Sequence, residues 1–367
     1  MTDSVTIFNK WFGEHIGGTE AYAAEIIKLF DGKAKIYLKP SKNARKYDLK
    51  EYLKKYYDIF IDNPILPGGP GKDGLFINVS WNEIINRYKY GIHIIHFSGK
   101  LKIRLRKNPY KFFLYILEKI FYPRSYSYYL CNSKFTEYYF KQNWPEIPTE
   151  KIKVLYPPVK LFSYNPLIKK KRQIVTCSRF NPEKKVGFLL DIFNKHFQND
   201  DCRLVLAGSL SDENNEPYYN QLKALNYENV EFFINPDREK LNALFNESLV
   251  FWHAKGYGEE KPGLFEHFGM TTVEAMSAGL IPVVINKGGQ SEIVDHEING
   301  FKWDTPEELV SYTRKALALS CEETKRISEN AVEKSKMFGL DNFEKEFLSI
   351  VSGISIEINK PALNPVL

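Results

Sequence analysis

Residues 266–285 read EHFGMTTVEAMSAGLIPVVI, and this stretch contains the signals of a short helix followed by a strand. Thr271 or Thr272 is suited to cap the start of the helix, which can then wind two turns. Gly279 suits the left-handed position at which many helices end. The apolar run 280–285 predicts a buried strand. A helix that leads directly into a buried strand is typical of α/β proteins.

Helix-like and strand-like runs alternate along nearly the whole chain, which favours parallel sheets covered by helices. In the first half, apolar runs predict strands at residues 5–9, 34–37, 59–62, 75–79, 92–97 and 127–132. In the second half, they predict strands at residues 174–178, 203–207, 230–233, 249–253 and 281–285. Between the two series, the sequence Tyr156-Pro-Pro-Val159 fits neither a helix nor a central strand, which indicates a domain boundary.

These features predict an α/β protein of two Rossmann-like, doubly wound domains, residues 1–158 and 159–339. A length of 367 residues suits two domains that each bury their own core. Ligands of doubly wound sheets bind at the carboxyl ends of the strands, so we expect a ligand in the cleft between the domains. An amphipathic helix over residues 340–351 precedes a polar tail that contains prolines, and we expect that tail to be loosely held.

The composition is that of a globular protein, with 43% hydrophobic and 26% charged residues. A formal net charge of +6 is too small to indicate nucleic-acid binding. The four cysteines lack the paired spacing of a zinc site or a disulfide framework, which favours a reducing, cytosolic setting. No signal-peptide pattern opens the sequence, and no run of about 18 apolar residues occurs, so we expect a soluble chain.

The opening stretch also places two carboxylates, Glu266 and Glu274, eight positions apart across the start of the helix. Carboxylates accept hydrogen bonds from sugar hydroxyls, and free N–H groups at a helix start attract phosphate. We expect such N–H groups at Phe268, Gly269 and Met270, so the arrangement suits a phosphorylated, polyhydroxylated ligand. On spacing alone, a helix with one capping glutamate and one solvated glutamate explains the pattern equally well.

This stretch closely resembles the E-x7-E signature of the retaining glycosyltransferases of family 4. The positions that match the signature are Glu266, Gly269, Glu274, Ala275, Gly279 and Pro282. The longer pattern, which continues through IPVV, GG and EIV, is nearest to the mannosyltransferases that extend lipid-linked oligosaccharides. The resemblance implies a GT-B fold, in which two Rossmann-like, doubly wound domains face a deep cleft. It also implies that a C-terminal helix, at about residues 340–367, returns to the first domain.

The resemblance implies separate roles for the two carboxylates. Glu274 would hold the ribose hydroxyls of a nucleotide sugar. The donor sugar would be held by Glu266 together with the backbone of His267, Phe268, Gly269 and Met270. Just upstream, His253 and Lys255 either line the same donor site or belong to a surface loop.

Arg179 and Lys184 stand five positions apart in the sequence SRFNPEK, which follows a predicted strand. Arginine offers a rigid fork of donors and lysine a compact charge, so the pair suits a pyrophosphate. Two cations beside a loop are more often a solvated surface. The resemblance implies instead that they match the phosphate-binding pair of the family and neutralise the departing diphosphate, a task that a divalent metal performs in other transferases. We therefore expect no metal site and no cofactor, with the nucleotide sugar as co-substrate.

Three residues of the first domain enter the prediction through the resemblance. Gly17 and Gly18 form a glycine turn before a predicted helix, which alone is a weak signal. In the family, the equivalent loop closes over the donor phosphates and faces the acceptor. His93 and His96 lie three apart and so point to opposite faces of a strand, where they cannot bind one metal. The resemblance implies that His96 contacts the donor sugar or the acceptor hydroxyl, and we interpret His93 as structural.

Residues 100–124 concentrate basic charge beside apolar and aromatic side chains. They contain a single acidic residue and the basic residues Lys100, Lys102, Arg104, Arg106, Lys107, Lys111, Lys119 and Arg124. This combination suits a segment that lies on an anionic membrane surface. A buried helix with a basic flank explains it equally well, whereas a base-stacking platform for nucleic acid fits it less well. The first alternative would make the cytoplasmic chain peripheral to the membrane.

The sequence thus predicts a retaining, metal-independent hexosyltransferase, with GDP-mannose as the first choice of donor and a glycan or lipid-linked glycan as acceptor. The predicted catalytic residues are Glu266, His96, Arg179 and Lys184. The resemblance implies front-face attack, in which the departing phosphate accepts the proton of the acceptor. Open alternatives are a transferase of the same fold that uses UDP-glucose or UDP-GlcNAc, a sugar-nucleotide epimerase or a phosphorylase on the same two-domain scaffold, and a non-catalytic nucleotide-sugar-binding module. An epimerase would need further acid and base groups, and the presence of both glutamates with the Arg/Lys pair argues against a decayed site.

Overall fold

The structure is a computed structural model, and it describes residues 3–10, 12, 18–39, 48–69, 74–80, 86, 88–97, 117, 119–210 and 215–359. Contacts between residues group the chain into two compact units. The first unit comprises Met1–Pro158 and Asp341–Leu367, and the second comprises Val159–Leu340. Each unit is built around one parallel sheet with its own hydrophobic core.

The sheet of the first unit consists, within the described residues, of seven parallel strands. They are β1 (Ser4–Phe8), β2 (Lys35–Lys39), β3 (Ile65–Pro67), β4 (Leu75–Asn78), β5 (Tyr90–Ile95), β6 (Tyr128–Cys131) and β7 (Ile152–Val154). Their order in the sheet is β3-β2-β1-β4-β5-β6-β7. The helices that follow these strands include α1 (Gly18–Phe30), α2 (Leu49–Tyr57) and α3 (Lys134–Asn143). The direction of strand addition reverses between β1 and β4, as in a doubly wound sheet.

The strand predicted at residues 59–62 is wrong, because the backbone donors there are used by other groups. Asp58 ends α2 in the left-handed conformation at φ 55°, and the N–H of Ile59 still bonds back to the helix. The N–H groups of Asp62 and Asn63 both donate to the carboxylate of Asp31 at 3.0 Å. The edge strand β3 forms only after these bonds end.

The sheet of the second unit has six parallel strands in the described part of the chain. They are β8 (Lys171–Cys177), β9 (Arg203–Gly208), β10 (Val230–Ile234), β11 (Ser248–His253), β12 (Ile281–Ile285) and β13 (Phe301–Trp303). The helices of this unit include α4 (Val186–His196), α5 (Glu216–Ala224), α6 (Arg238–Glu247), α7 (Met270–Ser277), α8 (Gln290–Ile293), α9 (Pro306–Leu317) and α10 (Cys321–Lys336).

The strand order of the second sheet, β10-β9-β8-β11-β12-β13, reverses between β8 and β11. Every residue of β11 and β12 is buried, as expected for central strands of a parallel sheet with helices on both faces. The loops after β8 and β11 therefore lie at the switch point, where doubly wound sheets bind their ligands. The prediction of an α/β fold with two doubly wound sheets is confirmed.

The last helix, α11 (Leu340–Asn359), begins at the end of the second unit and packs in the core of the first. Phe343 lies edge-on to Tyr22, with ring centroids 5.2 Å apart, and Phe347 lies edge-on to Phe30 at 6.3 Å. The helix continues beyond residue 351, so the prediction of a loose tail is wrong for residues 352–359, and residues 360–367 lie outside the described residues. None of the helices in the described ranges combines the length and the apolar character needed to cross a membrane.

Candidate active site

The helix of the opening stretch begins earlier than predicted. Its N-cap is Gly269, at φ 119°, rather than Thr271 or Thr272, so the predicted threonine cap is wrong. Glycine adopts this conformation without the strain that a side chain would cause, and it therefore decides where α7 starts. Thr272 lies inside the first turn and donates its N–H to the carbonyl of Gly269. At the other end Gly279 has φ 74°, which confirms the predicted left-handed position.

Two glycines hold α8 against residues 266–269, which we call the glutamate loop. The N–H of Gly289 donates to the carbonyl of Glu266 at 2.8 Å. A Cβ atom on Gly288 would overlap that carbonyl, and one on Gly289 would overlap the backbone of Phe268. The absence of side chains at both positions therefore permits the close approach of the two segments.

The carboxylate of Glu266 lies between two side chains from the switch point. Lys184 Nζ is 2.6 Å from its Oε2 atom, and His253 Nε2 is 3.3 Å from the same oxygen. Lys184 ends a short 3-10 turn after β8, which Asn181 caps by accepting its N–H. His253 is the last residue of β11 and is buried. The side chains of Lys184 and Glu266 are only 16% and 17% exposed, so this pair is poorly solvated.

The pKa values in this cluster follow from burial and charge. Burial would raise the pKa of Glu266, but Lys184, the hydrogen bond from His253 and the charge of Lys255 hold it well below the usual range. Burial lowers the pKa of His253 and that of Lys255, in both cases against the attraction of Glu266. Glu266 is therefore an anion at neutral pH, and the Nε2–H of a neutral His253 donates to it.

Arg179, the predicted partner of Lys184, is exposed in the loop after β8. It lies near enough to Lys255 to contribute to the lowered pKa of that lysine. The structure thus brings Lys184 and Lys255 to the Glu266 carboxylate, with Arg179 near Lys255. Their assignment to a diphosphate stays a prediction. Of the two open interpretations of Lys255 and His253, the structure favours the one in which they line this site.

Glu274 has a different partner, which the sequence did not reveal. Arg238 is the first residue of α6, and its Nη1 atom lies 3.4 Å from Oε1 of Glu274. The same guanidinium donates to the carbonyls of Lys160 and Leu161 and lies 4.0 Å from the ring centroid of Phe162. Burial raises the pKa of Glu274 to about 7, although Arg238 opposes the shift. Glu274 therefore changes its protonation state near neutral pH.

The other predicted donor-binding residues continue from Glu266 into the helix. His267 is half-buried, with Nε2 at 3.3 Å from the carbonyl of Gly263, and Phe268 is buried. Met270 begins α7. Because the first N–H groups of a helix have no intrahelical acceptor, those of Met270 and Thr271 suit a phosphate or a hydroxyl.

In the first unit, His96 follows β5. Its Nε2 atom lies 3.1 Å from the carbonyl of Val79, and its ring lies edge-on to Tyr22. Burial lowers the pKa of His96 to about 4, so the imidazole is neutral at physiological pH. His93 is fully buried, contacts the hydroxyl of Tyr122 at 2.9 Å and has its pKa lowered by burial to about 3, which fits a structural role. Gly18 is the first residue of α1, and Gly17 lies outside the described residues.

Only residues 117 and 119–124 of the basic, aromatic segment are described. Lys119 donates to the carbonyl of Asn143 and lies 4.0 Å from the ring centroid of Trp144. Tyr122 is buried, whereas Phe121 is exposed. The choice between a membrane-bound segment and a buried helix with a basic flank stays open.

Two comparisons show what the chain is similar to. Residues 160–334, nearly the whole second unit, match the family described as Glycosyl transferases group 1. The crystal structure of Anabaena HepE in complex with UDP and glucose has the same fold, with a TM-score of 0.70, 18% identity, and coverage of 96% of this chain and 100% of that one. The second unit thus matches a glycosyl transferases group 1 domain, and the predicted GT-B fold and the resemblance to its glycosyltransferases are confirmed.

The chain is also similar to curated mannosyltransferases. A GDP-Man:Man(3)GlcNAc(2)-PP-Dol alpha-1,2-mannosyltransferase of Dictyostelium discoideum is 29% identical over 258 residues, which cover 65% of this chain and 48% of the relative. The mouse protein of the same name is 31% identical over 216 residues, or 53% of this chain and 42% of the relative. The chain therefore spans less than half the length of the curated relatives that it matches.

Proposed function

We propose that this chain is a retaining glycosyltransferase that moves a hexose, with mannose as first choice, from a nucleotide diphosphate sugar to a glycan or lipid-linked glycan. The names of the curated relatives support GDP-mannose as donor and a dolichyl-diphosphate-linked glycan as acceptor. The observation that carries the proposal is the ionised Glu266, which lies beside Lys184 and His253 at the start of α7. An anion fixed at a helix start suits the hydroxyl groups of a sugar.

The donor would use the two carboxylates differently. Glu274, which can donate or accept a proton near neutral pH, would hold the ribose hydroxyls. Glu266 and the N–H groups at the start of α7 would hold the hexose. Lys184 would give up part of its contact with Glu266. Together with Arg179, it would balance the charge of the diphosphate. This division gives the cations the task that a metal performs in other transferases, so we propose that neither metal nor cofactor is needed.

The reaction would retain the anomeric configuration. The acceptor hydroxyl oxygen would form a bond to the anomeric carbon on the same face from which the diphosphate departs. The bond between that carbon and the diphosphate oxygen breaks, and the hydroxyl proton passes to a phosphate oxygen of the departing group. His96, as a neutral imidazole, would contact the donor sugar or the acceptor hydroxyl.

A peripheral site of action on the cytoplasmic face of the membrane is part of this proposal. A lipid-linked acceptor is met at a membrane surface, and the basic charge of residues 100–124 suits anionic lipid. Flotation with phosphatidylcholine vesicles, with and without phosphatidylserine, tests this part. We expect flotation only with phosphatidylserine, and its loss when Lys100, Lys102 and Arg104 are replaced by glutamine. Failure to float with anionic vesicles would remove the membrane from the proposal.

The test of the activity is a donor panel with the purified chain. GDP-mannose, UDP-glucose and UDP-GlcNAc are each incubated with a dolichyl-diphosphate-linked glycan, and the product is identified by mass spectrometry. NMR of the new linkage reports whether the anomeric configuration is retained. We expect transfer from GDP-mannose, with retention, in the presence of EDTA. Transfer from a UDP-sugar alone would identify the other donor class. If activity returned only when Mg²⁺ was restored, the proposal that no metal is needed would be rejected. If no donor supported transfer, the proposed activity itself would be rejected.

A further inference from the structure

One buried side chain beside the glutamate loop has, among the described residues, no hydrogen-bond partner for either of its polar atoms. Gln290, the first residue of α8, is fully buried, and both Nε2 and Oε1 lack a hydrogen-bond partner within the described residues. A buried amide without partners is costly, since it has lost its hydrogen bonds to water. Such groups are rare in folded proteins, and each one needs a physical explanation.

The position of this amide supplies a reason. A Cβ atom on Gly269 would overlap the Nε2 atom of Gln290, so the carboxamide lies directly against the N-cap of α7. On the backbone side, Gly289 joins α8 to the glutamate loop through its bond to the carbonyl of Glu266. The amide therefore occupies the space beneath the loop that carries Glu266.

Other polar atoms at this place are also buried and unpaired in the described part of the chain. They are Oγ1 of Thr272, in the first turn of α7, and Nδ1 of His253, whose other ring nitrogen contacts Glu266. Methionine at position 290 would have nearly the same length and no desolvation penalty. Residues that adjoin the loop thus carry hydrogen-bonding atoms that no described residue pairs with.

We propose that Gln290 is a positioning residue for the glutamate loop. When a nucleotide sugar binds, the Gln290 carboxamide forms a hydrogen bond with the loop backbone at Gly269. This bond holds the loop in the conformation that binds the sugar. The inference rests on the proposed function, because it assigns the sugar to this loop. It adds that the affinity for the sugar, but not the affinity for the nucleotide, depends on the Gln290 side chain, which contacts neither the sugar nor the nucleotide.

The test is a comparison of two ligands in the variant Gln290→Met. Isothermal titration of the full chain with GDP and with GDP-mannose gives the contribution of the sugar as the ratio of the two affinities. We expect the affinity for GDP-mannose to fall by about tenfold, the size of one lost hydrogen bond to a fixed group, while that for GDP stays unchanged. The melting temperature of the free variant should stay the same or rise, because the unpaired amide is gone.

Ser328→Ala is the matched control. Ser328 lies in α10, and its hydroxyl is likewise buried without a partner among the described residues. This variant should leave both affinities as in the wild type.

Two outcomes separate this inference from the proposed function. If Gln290→Met lowers the melting temperature and leaves the affinity ratio unchanged, the amide is structural and the inference is overturned. If the wild-type chain binds neither GDP nor GDP-mannose, the same comparison is made with UDP and UDP-glucose. Binding to neither pair overturns the proposed function and the inference together.

Discussion

Glu266 and Glu274 stand eight residues apart, and both side chains are largely buried, yet their charge behaviour is opposite. Glu266 has Lys184 at 2.6 Å and His253 at 3.3 Å, and its pKa is held well below the usual range despite burial. Glu274 has Arg238 at 3.4 Å, and burial raises its pKa to about 7. Burial favours the neutral form of a carboxyl, so the number and closeness of its cations decide which form is present.

The fold explains why the two glutamates have such different surroundings. Glu266 precedes α7 and meets the carboxyl ends of β8 and β11, where the following loops supply the lysines and the last residue of β11 supplies the histidine. Glu274 lies in the second turn of α7 and meets the start of α6. One carboxylate is thus a fixed anion, whereas the other can donate or accept at neutral pH. This difference fits separate contacts to a hexose and to a ribose.

The largest effect is expected from Glu266→Gln. The substitution removes the anion and leaves Lys184 and Lys255 without it, so we expect transfer to fall by about a thousandfold. We also expect a lower melting temperature, because the ionised Glu266 stabilises the folded chain at neutral pH. Steady-state transfer assays and thermal unfolding measure both quantities. Glu259→Gln is the matched control, because Glu259 pairs with Lys185 at 2.7 Å and is similarly half-buried. An equal loss of transfer activity in both variants would show that disruption of any such ion pair lowers the activity.

Lys184→Met is expected to lower transfer by about a hundredfold, and the double variant with Glu266→Gln sharpens the comparison. If Lys184 serves only to keep Glu266 ionised, the double variant is no worse than Glu266→Gln alone. If Lys184 also binds the diphosphate, the affinity for GDP falls in Lys184→Met but not in Glu266→Gln. Lys185→Met is the control for loss of a neighbouring lysine. Unchanged transfer and GDP affinity in Lys184→Met would remove this lysine from the site.

The fold was largely predictable because its determinants are local. The apolar run that forms β12 and the glycine that ends α7 require no knowledge of distant residues. The strand predicted at residues 59–62 fails because Asp31, far away in sequence, accepts the N–H groups of Asp62 and Asn63. The threonine cap fails because Gly269 adopts a positive φ, a property that the pattern of residues does not display.

The site was less predictable because its pairs join distant segments. Lys184 and Glu266 are 82 residues apart, and each was predicted through a family motif that says nothing of their contact. Arg238 is 36 residues from Glu274 and belongs to no motif, so no signal in the sequence separates it from other charged residues at helix starts. The orphaned amide of Gln290 likewise becomes visible only when burial and hydrogen bonds are known.

The two carboxylates should also give opposite pH dependences of stability. The folded pKa of Glu274 is raised to about 7 from 4.5, so the stability that it contributes is present below about pH 4.5 and is lost as the pH rises through 7. The pKa of Glu266 is lowered, so its contribution is present above pH 4.5 and is lost only as the pH falls through its folded pKa. Urea unfolding of wild type and Glu274→Gln between pH 5 and 8 should show a relative gain of about 2 kcal/mol for the variant at high pH.

Differences between variant and wild type remove the contributions of His93 and His96, whose pKa of 6.5 in the unfolded chain lies within the same range. Glu266→Gln, measured in parallel, should show no such change with pH above 5. A constant difference between Glu274→Gln and wild type across the range would contradict the raised pKa of Glu274.

The smallest effect is expected from Arg238→Lys. Lysine keeps the charge near Glu274 but loses the planar fork that also reaches the carbonyls of Lys160 and Leu161. We expect the KM for the donor to rise about threefold with kcat unchanged, because Glu274 would act on binding of the ribose and not on the reacting carbon. Arg238→Met, which removes the charge, should raise the KM further. It should also shift the transition in the pH profile of the KM to higher pH, because Glu274 loses the cation that holds its pKa down. A fall in kcat with an unchanged KM would mean that Arg238 acts on the sugar side of the site, and the division between the two glutamates would then be wrong.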